Sequence, residues 1–439
     1  MDNKNDIAKE VAINQEKLQA IQAAITDIKS FGQFLLSSGS SSDTSEAIEN
    51  ILGGSVALFA SDIHFEPEKE QVRFRLRVDG VLNDVCFFDE KNYKPILSRL
   101  KLLSGLKLNI TDKSQDGRFT IVLEKNKIEA RVSSLPSEYG ESIVIRVLDP
   151  KSLITIDDLG IRPDMKEVFE RQIRQPNGMI IATGPTGSGK TTTLYAILKK
   201  IQSPEIKIIT IEDPIEYHLE GIEQSQVNPK KGYDFSSGLE AIVRQDPDVI
   251  LVGEIRDSQT AKIALQAALT GHLLLTTLHT NDAAGTIVRL MALGEKPINI
   301  APAIKLAIGQ RLVRKICPKC KKLKTASSKE LEVIKKEING LPETLKEKVK
   351  LPAITSELKI PEITGCDNCN ATGYKGRVGV FEFFLVDDEL ENFIAKSPNV
   401  AELRAKAQSR GMATMRQDGI IKVLQGITTL EEIIKTTED

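Results

Sequence analysis

Eight consecutive residues constrain this chain more than any other stretch: Gly184-Pro185-Thr186-Gly187-Ser188-Gly189-Lys190-Thr191. They lie between the apolar run GMIIAT (178–183) and the sequence TTLYAILKKI (192–201), a predicted buried strand and a predicted helix. A strand that enters a helix through G-x-x-x-x-G-K-[ST] implies an α/β layer with a site at the strand's carboxyl end. The glycines let the backbone wrap closely, so that amide N–H groups converge on an anion at the positive end of the helix. Lys190 then reaches the β- and γ-phosphates, and the Thr191 hydroxyl sits on Mg²⁺. The loop with Thr192 is therefore expected to bind a nucleotide. A glycine turn holding an accidental lysine would need the motif and both flanks to agree by chance.

The same strand–loop–helix alternation runs from about 156 to 316. Candidate strands are 178–183, 207–212, 248–253 and 272–277, with helices such as 257–269 and 282–293, which predicts a mostly parallel sheet. Ahead of it, 53–155 reads as a small α+β domain. QVRFRLRV (71–78) alternates apolar and basic residues, Asp79-Gly80 supplies a tight turn, and 81–88 resumes the apolar run. Tyr93–Leu108 reads as a helix and 119–123, 127–132 and 142–148 as strands. The first 36 residues carry a heptad-like stripe (Ile7, Val11, Leu18, Ile21, Ile25, Ile28, Leu35), expected to form one amphipathic helix that packs on its own domain or docks a partner. A serine-rich linker is expected at 37–52. A tetracysteine zinc-binding subdomain is expected at 317–387, and residues 388–439 read as a C-terminal subdomain of helices only.

Composition excludes several classes. With 59 Lys+Arg against 61 Asp+Glu and no tryptophan, the chain is not built around a strongly basic nucleic-acid surface. No apolar run reaches transmembrane length, and the first twenty residues lack the apolar core of a signal peptide, so a cytosolic multidomain protein is expected.

Hydrolysis requires a carboxylate to position water and charge to neutralise the transition state. DVILVGE (248–254) is an apolar strand ending in Glu254, with Gly253 where an aspartate often stands; Glu254 is expected to serve both the metal's water shell and the catalytic water. A second strand ends in Glu212-Asp213-Pro214-Ile215-Glu216, whose acids read either as part of the site or as solvated loop carboxylates. His272 and His279 flank LLLTTL, as phosphate ligands or as satisfied core histidines.

Five cysteines do not make a secreted disulfide scaffold. Cys317-x-x-Cys320 and Cys366-x-x-Cys369 instead suit a closed Cys₄ zinc site; a redox pair or an iron–sulfur cluster are the alternatives. Cys86 is left over as a buried small hydrophobe. The Lys/Glu-rich stretch 325–350 reads as an exposed helical arm with solvated charges.

Taken in order, ASDIHFEP, FRLRVDGVL, QDGRF, ARVSSLP, YGESIVIRVLD, GPTGSGKTTTLY, IEDPIEY, VRQDPDVILVGEIRD, LTGHLLLTTLHTND, QRLVRKICPKC and CDNCNATGYKGRVGVFE run from Ala60 to Glu382. This series resembles the secretion ATPase superfamily of type II secretion and type IV pilus assembly, in its tetracysteine branch. The resemblance implies a RecA-like P-loop ATPase domain preceded by a PAS-like domain, in a hexameric ring using ATP, Mg²⁺ and Zn²⁺. It places Glu212 and Glu216 in an acidic box, Glu254 as the Walker B glutamate, and His272 and His279 in a histidine box. It also implies that Arg131 and Arg146 approach phosphate, where the residues alone suggest strand arginines in surface pairs. It implies assembly of a pilus or pseudopilus through a polytopic inner-membrane platform protein, at the cytoplasmic face, with no stable nucleic-acid binding and only indirect membrane association. The rivals are a retraction motor, a nucleotide-regulated scaffold and a nucleic-acid translocase. The chain departs from the family pattern in the short stretch before the match, and in Glu240 where relatives often carry a basic residue.

Overall fold

The computed structural model describes residues 9–38, 43–124, 126–150 and 154–438. The chain forms two compact units. The first comprises Met1–Ser152 together with Cys317–Cys320 and Thr364–Lys375; the second comprises Leu153–Ile316, Lys321–Ile363 and Gly376–Asp439.

The first unit is built on a seven-stranded sheet of β1 (Glu10–Ile13), β2 (Asp62–Pro67), β3 (Val72–Val78), β4 (Val81–Phe88), β5 (Gln115–Leu123), β6 (Asn126–Ser137) and β7 (Gly140–Leu148). Its order is β1-β5-β6-β7-β2-β3-β4. The β3–β4 hairpin turns where expected, because Asp79 and Gly80 both take positive φ (50° and 84°), as a two-residue turn matched to strand twist requires. One face of the sheet buries Ile63, Phe65, Phe74, Leu76, Ile121, Ile143 and Ile145.

The N-terminal segment corrects the single-helix expectation. Residues 10–13 form β1, paired in parallel with β5, and two helices follow, Gln15–Ala24 and Ile28–Ser38. Asn14 caps the first of them, its side chain accepting from the Lys17 amide at 2.8 Å. Asp27 and Ser30 bond reciprocally at the start of the second and break the stripe between them. The stripe itself is buried: Val11, Ile21, Ile25, Ile28 and Leu35 face their own unit. The second helix approaches β4 so closely that a Cβ on Gly32 would stand 2.2 Å from the Val85 carbonyl oxygen. Ile7 lies outside the described residues.

The linker expectation at 37–52 is also corrected. Residues 39–42 lie outside the described set, and a helix capped by Asp43 runs over Thr44–Ala57, burying Ile48, Ile51 and Leu52. Apolar spacing after Asp43 outweighs the serine run before it.

The second unit holds β8 (Gly178–Thr183), β9 (Ile208–Glu212), β10 (Glu223–Gln226), β11 (Val249–Val252), β12 (Leu273–Leu278) and β13 (Ile304–Ile316). A two-stranded ribbon pairs β14 (Lys322–Thr325) with β15 (Lys359–Glu362), and β16 (Tyr374–Leu385) closes the large sheet, ordered β10-β9-β11-β12-β8-β13-β16. The strands from β10 to β13 pair in parallel. Their side chains are buried on both faces, Met179 and Ile181 in one core and Ile180 and Ala182 in another, which explains the continuous apolar runs. Since β16 completes this sheet, the stretch 317–387 is not a separate subdomain. The 325–350 stretch is not merely a solvated arm: helix Ser328–Asn339 buries Ile334 and Ile338 in a core shared with Ile420, Ile421 and Ile433.

Candidate nucleotide site and cysteine centre

At the end of β8, Gly184 turns the chain with φ 149°, and a Cβ there would stand 2.5 Å from the Gln310 carbonyl oxygen and 2.7 Å from Ser188 Oγ. Pro185, Thr186 and Gly187 form the exposed crest. Gly189, at φ 88°, leads into the helix Lys190–Ile201, so the loop closes on that helix's N-terminus. Lys190 Nζ donates to the carbonyls of Gly184 (2.9 Å) and Pro185 (3.0 Å). Burial pushes its ammonium below the ordinary lysine value, with Glu254 countering and Arg311 adding to the effect. Ser188 Oγ is buried with no hydrogen-bond partner, a polar atom that a phosphate oxygen in the loop would satisfy. Thr191 is exposed at the first turn, where its hydroxyl suits Mg²⁺. The loop therefore fits a magnesium-bound nucleotide.

Glu254 follows β11 on the same side of the sheet. Its Oε1 accepts from Arg256, and its Oε2 lies 3.3 Å from His279 Nε2. Burial works to raise its pKa, but the hydrogen bond and charge of Arg256, with His279, hold the carboxyl below the ordinary glutamate range. Arg256 also stands 3.8 Å from Asp213.

Glu212 is placed differently. It is 3% exposed and accepts from Thr210 Oγ1 (2.6 Å), Gln224 Nε2 (3.2 Å) and the Tyr195 hydroxyl, so it sits within the packing beneath the site. Glu216 is half-buried in the loop beyond. His272 is not brought to the phosphate loop, which corrects its grouping with the site residues. β8 and β12 run parallel, Gly178 opposite Leu273 and Thr183 opposite Leu278, so His272 lies at the opposite end of the sheet from Gly184. Six strand residues separate the two levels, about 20 Å. There its Nδ1 meets the Ala267 carbonyl oxygen at 3.0 Å. Only the carboxyl ends of parallel strands open on such a crevice.

In the first unit, Arg131 and Arg146 stand directly opposite one another on β6 and β7, and Arg118 on β5 stands opposite Arg131. Arg146 Nε donates to Asp62 Oδ1 at 3.1 Å. Asp62 stands opposite Arg146 on β2, and Arg118 lies 3.9 Å from Glu129, so acidic neighbours offset the like charges of the row, as strand arginines in surface pairs would.

The four cysteine sulfurs all lie within 4.8 Å of one another. Cys317 and Cys366 are 3.9 Å apart, Cys320 and Cys369 3.8 Å, and Cys366 and Cys369 3.7 Å. A tetrahedral thiolate site with metal–sulfur bonds of about 2.3 Å requires edges of about 3.8 Å, so the set fits. The amides of Cys366 (3.3 Å) and Gly373 (3.2 Å) donate to Cys369 Sγ, and Asn368 Nδ2 to Cys317 Sγ at 3.5 Å. Asn370, at φ 51°, accepts from the Ile28 amide at 2.8 Å and so satisfies the first turn of helix Ile28–Ser38 from 342 positions away. Cys86 is free and buried on β4, its thiol pushed up to about 12 by burial.

Comparison with known proteins decides the family. The model of the family described as type II/IV secretion system protein matches residues 39–435. This chain belongs to the type II/IV secretion system protein family. Among its relatives, the type IV pilus assembly ATPase PilB of Thermus thermophilus is 44% identical over 86% of this chain and 41% of its own length. PilB of Pseudomonas aeruginosa is 43% identical over 89% of this chain and 66% of its own. The type II secretion system ATPase E of Vibrio cholerae is 40% identical over 92% and 77%. The chain thus spans between about two fifths and two thirds of the two pilus relatives' length. Among solved structures, the pilus retraction motor PilT with bound ADP aligns at TM-score 0.58 and 25% identity, covering 88% of this chain and 95% of that one. The Legionella pneumophila ATPase DotB aligns at TM-score 0.62 and 22% identity over 88% and 94%, which speaks to the fold.

The secretion-family fold brings together Gly184–Thr191, Glu254 and His279. It adds three residues that sequence reading passed over: Arg256, Gln310 and Arg311. Gln310 is buried beneath the loop, its Oε1 accepting from Thr193 Oγ1 at 2.8 Å. The signal for Gln310 and Arg311 was the stretch 304–308, apolar except for Lys305, which runs beside β8 and carries them just past its carboxyl end. Glu240 is exposed on helix Phe235–Val243.

Proposed function

We propose that this chain is a magnesium-dependent ATPase motor that drives assembly of a type IV pilus or a type II secretion pseudopilus. The observation that carries the reading is the meeting of the phosphate loop, with its orphaned Ser188 hydroxyl, and a Glu254 carboxylate kept ionised by Arg256 and His279. The names of relatives at 40–44% identity support it. In this reading the loop amides and Lys190 hold the β- and γ-phosphates, and Thr191 would hold Mg²⁺, which supplies charge neutralisation on the phosphate oxygens. Glu254 orients water for attack on the γ-phosphate, and His279 keeps the carboxylate in position. Arg131 and Arg146 offer their planar forks to the phosphates as domains close, without losing a proton. The ring is a homo-hexamer of head-to-tail contacts, working at the cytoplasmic face of the membrane on a polytopic platform protein. Among the described residues no helix is long and apolar enough to cross a membrane, so association through such a partner is the consistent route. The four cysteines hold zinc as a closed structural site.

Glu254→Gln should retain ATP binding while turnover falls at least ~100-fold; normal turnover would remove Glu254 from its role. A retraction motor is the weaker reading, because the assembly ATPases are the relatives with the higher identity. Strong stimulation of turnover by DNA would favour the translocase instead.

A further inference from the structure

Register places Arg311 at the mouth of the phosphate loop. Gly309 on β13 pairs with Thr183 at the end of β8, so the next residues of β13 run alongside Gly184 and Pro185. The Arg311 guanidinium donates through Nη1 to the Gln310 carbonyl at 3.1 Å and through Nη2 to the Asn281 carbonyl at 2.8 Å. The same Nη1 lies 3.1 Å from where a Cβ on Gly184 would stand, so the loop backbone passes directly against it. Its charge is close enough to act on Lys190.

Asn281 is two residues beyond His279, the side chain that meets Glu254. The intervening Thr280 is tied back to the sheet, its amide donating to Thr183 Oγ1 at 3.0 Å. The segment His279–Asp282 is therefore held from two directions, by Thr183 at the base of the phosphate loop and by Arg311 across its mouth.

We infer that Arg311 is a positioning residue for hydrolysis: its fork ties the His279–Asp282 segment to β13 where that strand passes the phosphate loop, and so fixes the Glu254–His279 pair relative to the γ-phosphate. The inference rests on the ATPase reading above and deepens it. Arginine suits the task because a planar fork reaches two carbonyls at once, whereas a lysine ammonium on a flexible stem is a single point. Gln310 supports the arrangement from below, since its backbone carbonyl is one of the two acceptors and its side chain is fixed by Thr193.

The test uses the full chain and three variants, Arg311→Lys, Arg311→Ala and His279→Ala. Both Arg311 variants should bind a fluorescent ADP analogue within about 5-fold of wild type, because Lys190 and the loop amides remain, yet lose roughly 10-fold or more in kcat with little change in KM. In a His279→Ala background, Arg311→Ala should cost less than about 3-fold, since the segment it holds no longer carries the imidazole. Unchanged kcat, or a full and additive loss in that background, overturns the inference. Amide hydrogen exchange over 280–283 gives a readout independent of turnover: Arg311→Ala should raise exchange there at least about 10-fold. Unchanged exchange overturns the positioning role even in an active enzyme. A wild-type chain that binds Mg-ATP without hydrolysing it breaks the activity reading alone, and exchange over 280–283 then decides for Arg311.

Discussion

The phosphate loop draws its groups from eight consecutive residues, Gly184–Thr191, whereas the cysteine centre gathers four thiols from two segments separated by 45 residues. The loop is shaped before any ligand arrives. Three glycines at positive φ set its path, and the helix Lys190–Ile201 presents its amides. The cysteine centre also has local turns, with Gly365, Asn370, Ala371 and Gly373 at positive φ, but its two halves come from segments far apart in sequence. Its walls are a short 3₁₀ turn at Asp367–Cys369, N–H···S bonds and mutually crowded sulfurs, and on the proposed zinc reading the ion is what ties the two halves together. Contiguous chemistry is preorganised by local conformation; on the zinc reading, dispersed chemistry depends on its ion for the link between its halves.

That contrast breaks most visibly when the metal is removed. Structural zinc in small thiolate sites is worth on the order of 10 kcal/mol, so chelation should have the largest effect of any treatment considered. About one zinc per chain should be released, and exchange should rise across 366–373. It should also rise at the Ile28 amide, because its acceptor Asn370 directly follows Cys369 in the chain. A chelated protein with unchanged exchange at both places would mean that the backbone alone preorganises this centre. The phosphate loop should respond in the opposite way. On the proposed reading Lys190→Ala removes a charged donor from two phosphate contacts, each worth about 1.5–3 kcal/mol. Nucleotide affinity should then fall ~100-fold or more while the melting temperature stays near wild type. Calorimetric titration alongside a thermal melt measures both, and a large drop in melting temperature would show that the lysine holds the loop's shape.

What the sequence disclosed follows the same division. The β3–β4 hairpin was legible because alternation and Asp79-Gly80 are local signals, and the phosphate loop because its motif and flanks are contiguous. The stripe from Val11 to Leu35 misled because its spacing runs on through Ile25–Asp27, while the reciprocal bonds of Asp27 and Ser30 that stop the helix depend on geometry. β13 and β16 went unread because they are long strands whose partners lie far away in sequence and whose apolar residues are interrupted by charged ones. Missing β13 hid Gln310 and Arg311 as well. Membership of the cysteine centre in the first unit, although its chain issues from strands of the second, is a non-local fact that no spacing encodes.

The smallest expected effect separates two carboxylates that looked alike in sequence. Glu212 and Glu254 each close an apolar strand, and β9 and β11 are neighbours. Yet Glu254 meets a histidine and an arginine that are themselves exposed, while Glu212 is enclosed by a tyrosine, a threonine and a glutamine. On the proposed reading, environment and not strand position divides water activation from support. Tyr195→Phe should therefore cost stability more than chemistry. Removing a donor to a buried carboxylate costs about 1–3 kcal/mol, since the group loses a bond without regaining water. Turnover should change only a few-fold, because Glu254 and the loop keep their own partners. Denaturant melts and steady-state kinetics on this one variant read both quantities. A loss of ~100-fold in kcat with unaltered stability would move Glu212 from beneath the site into the reaction, and would make proximity to a strand end a better guide to catalysis than burial.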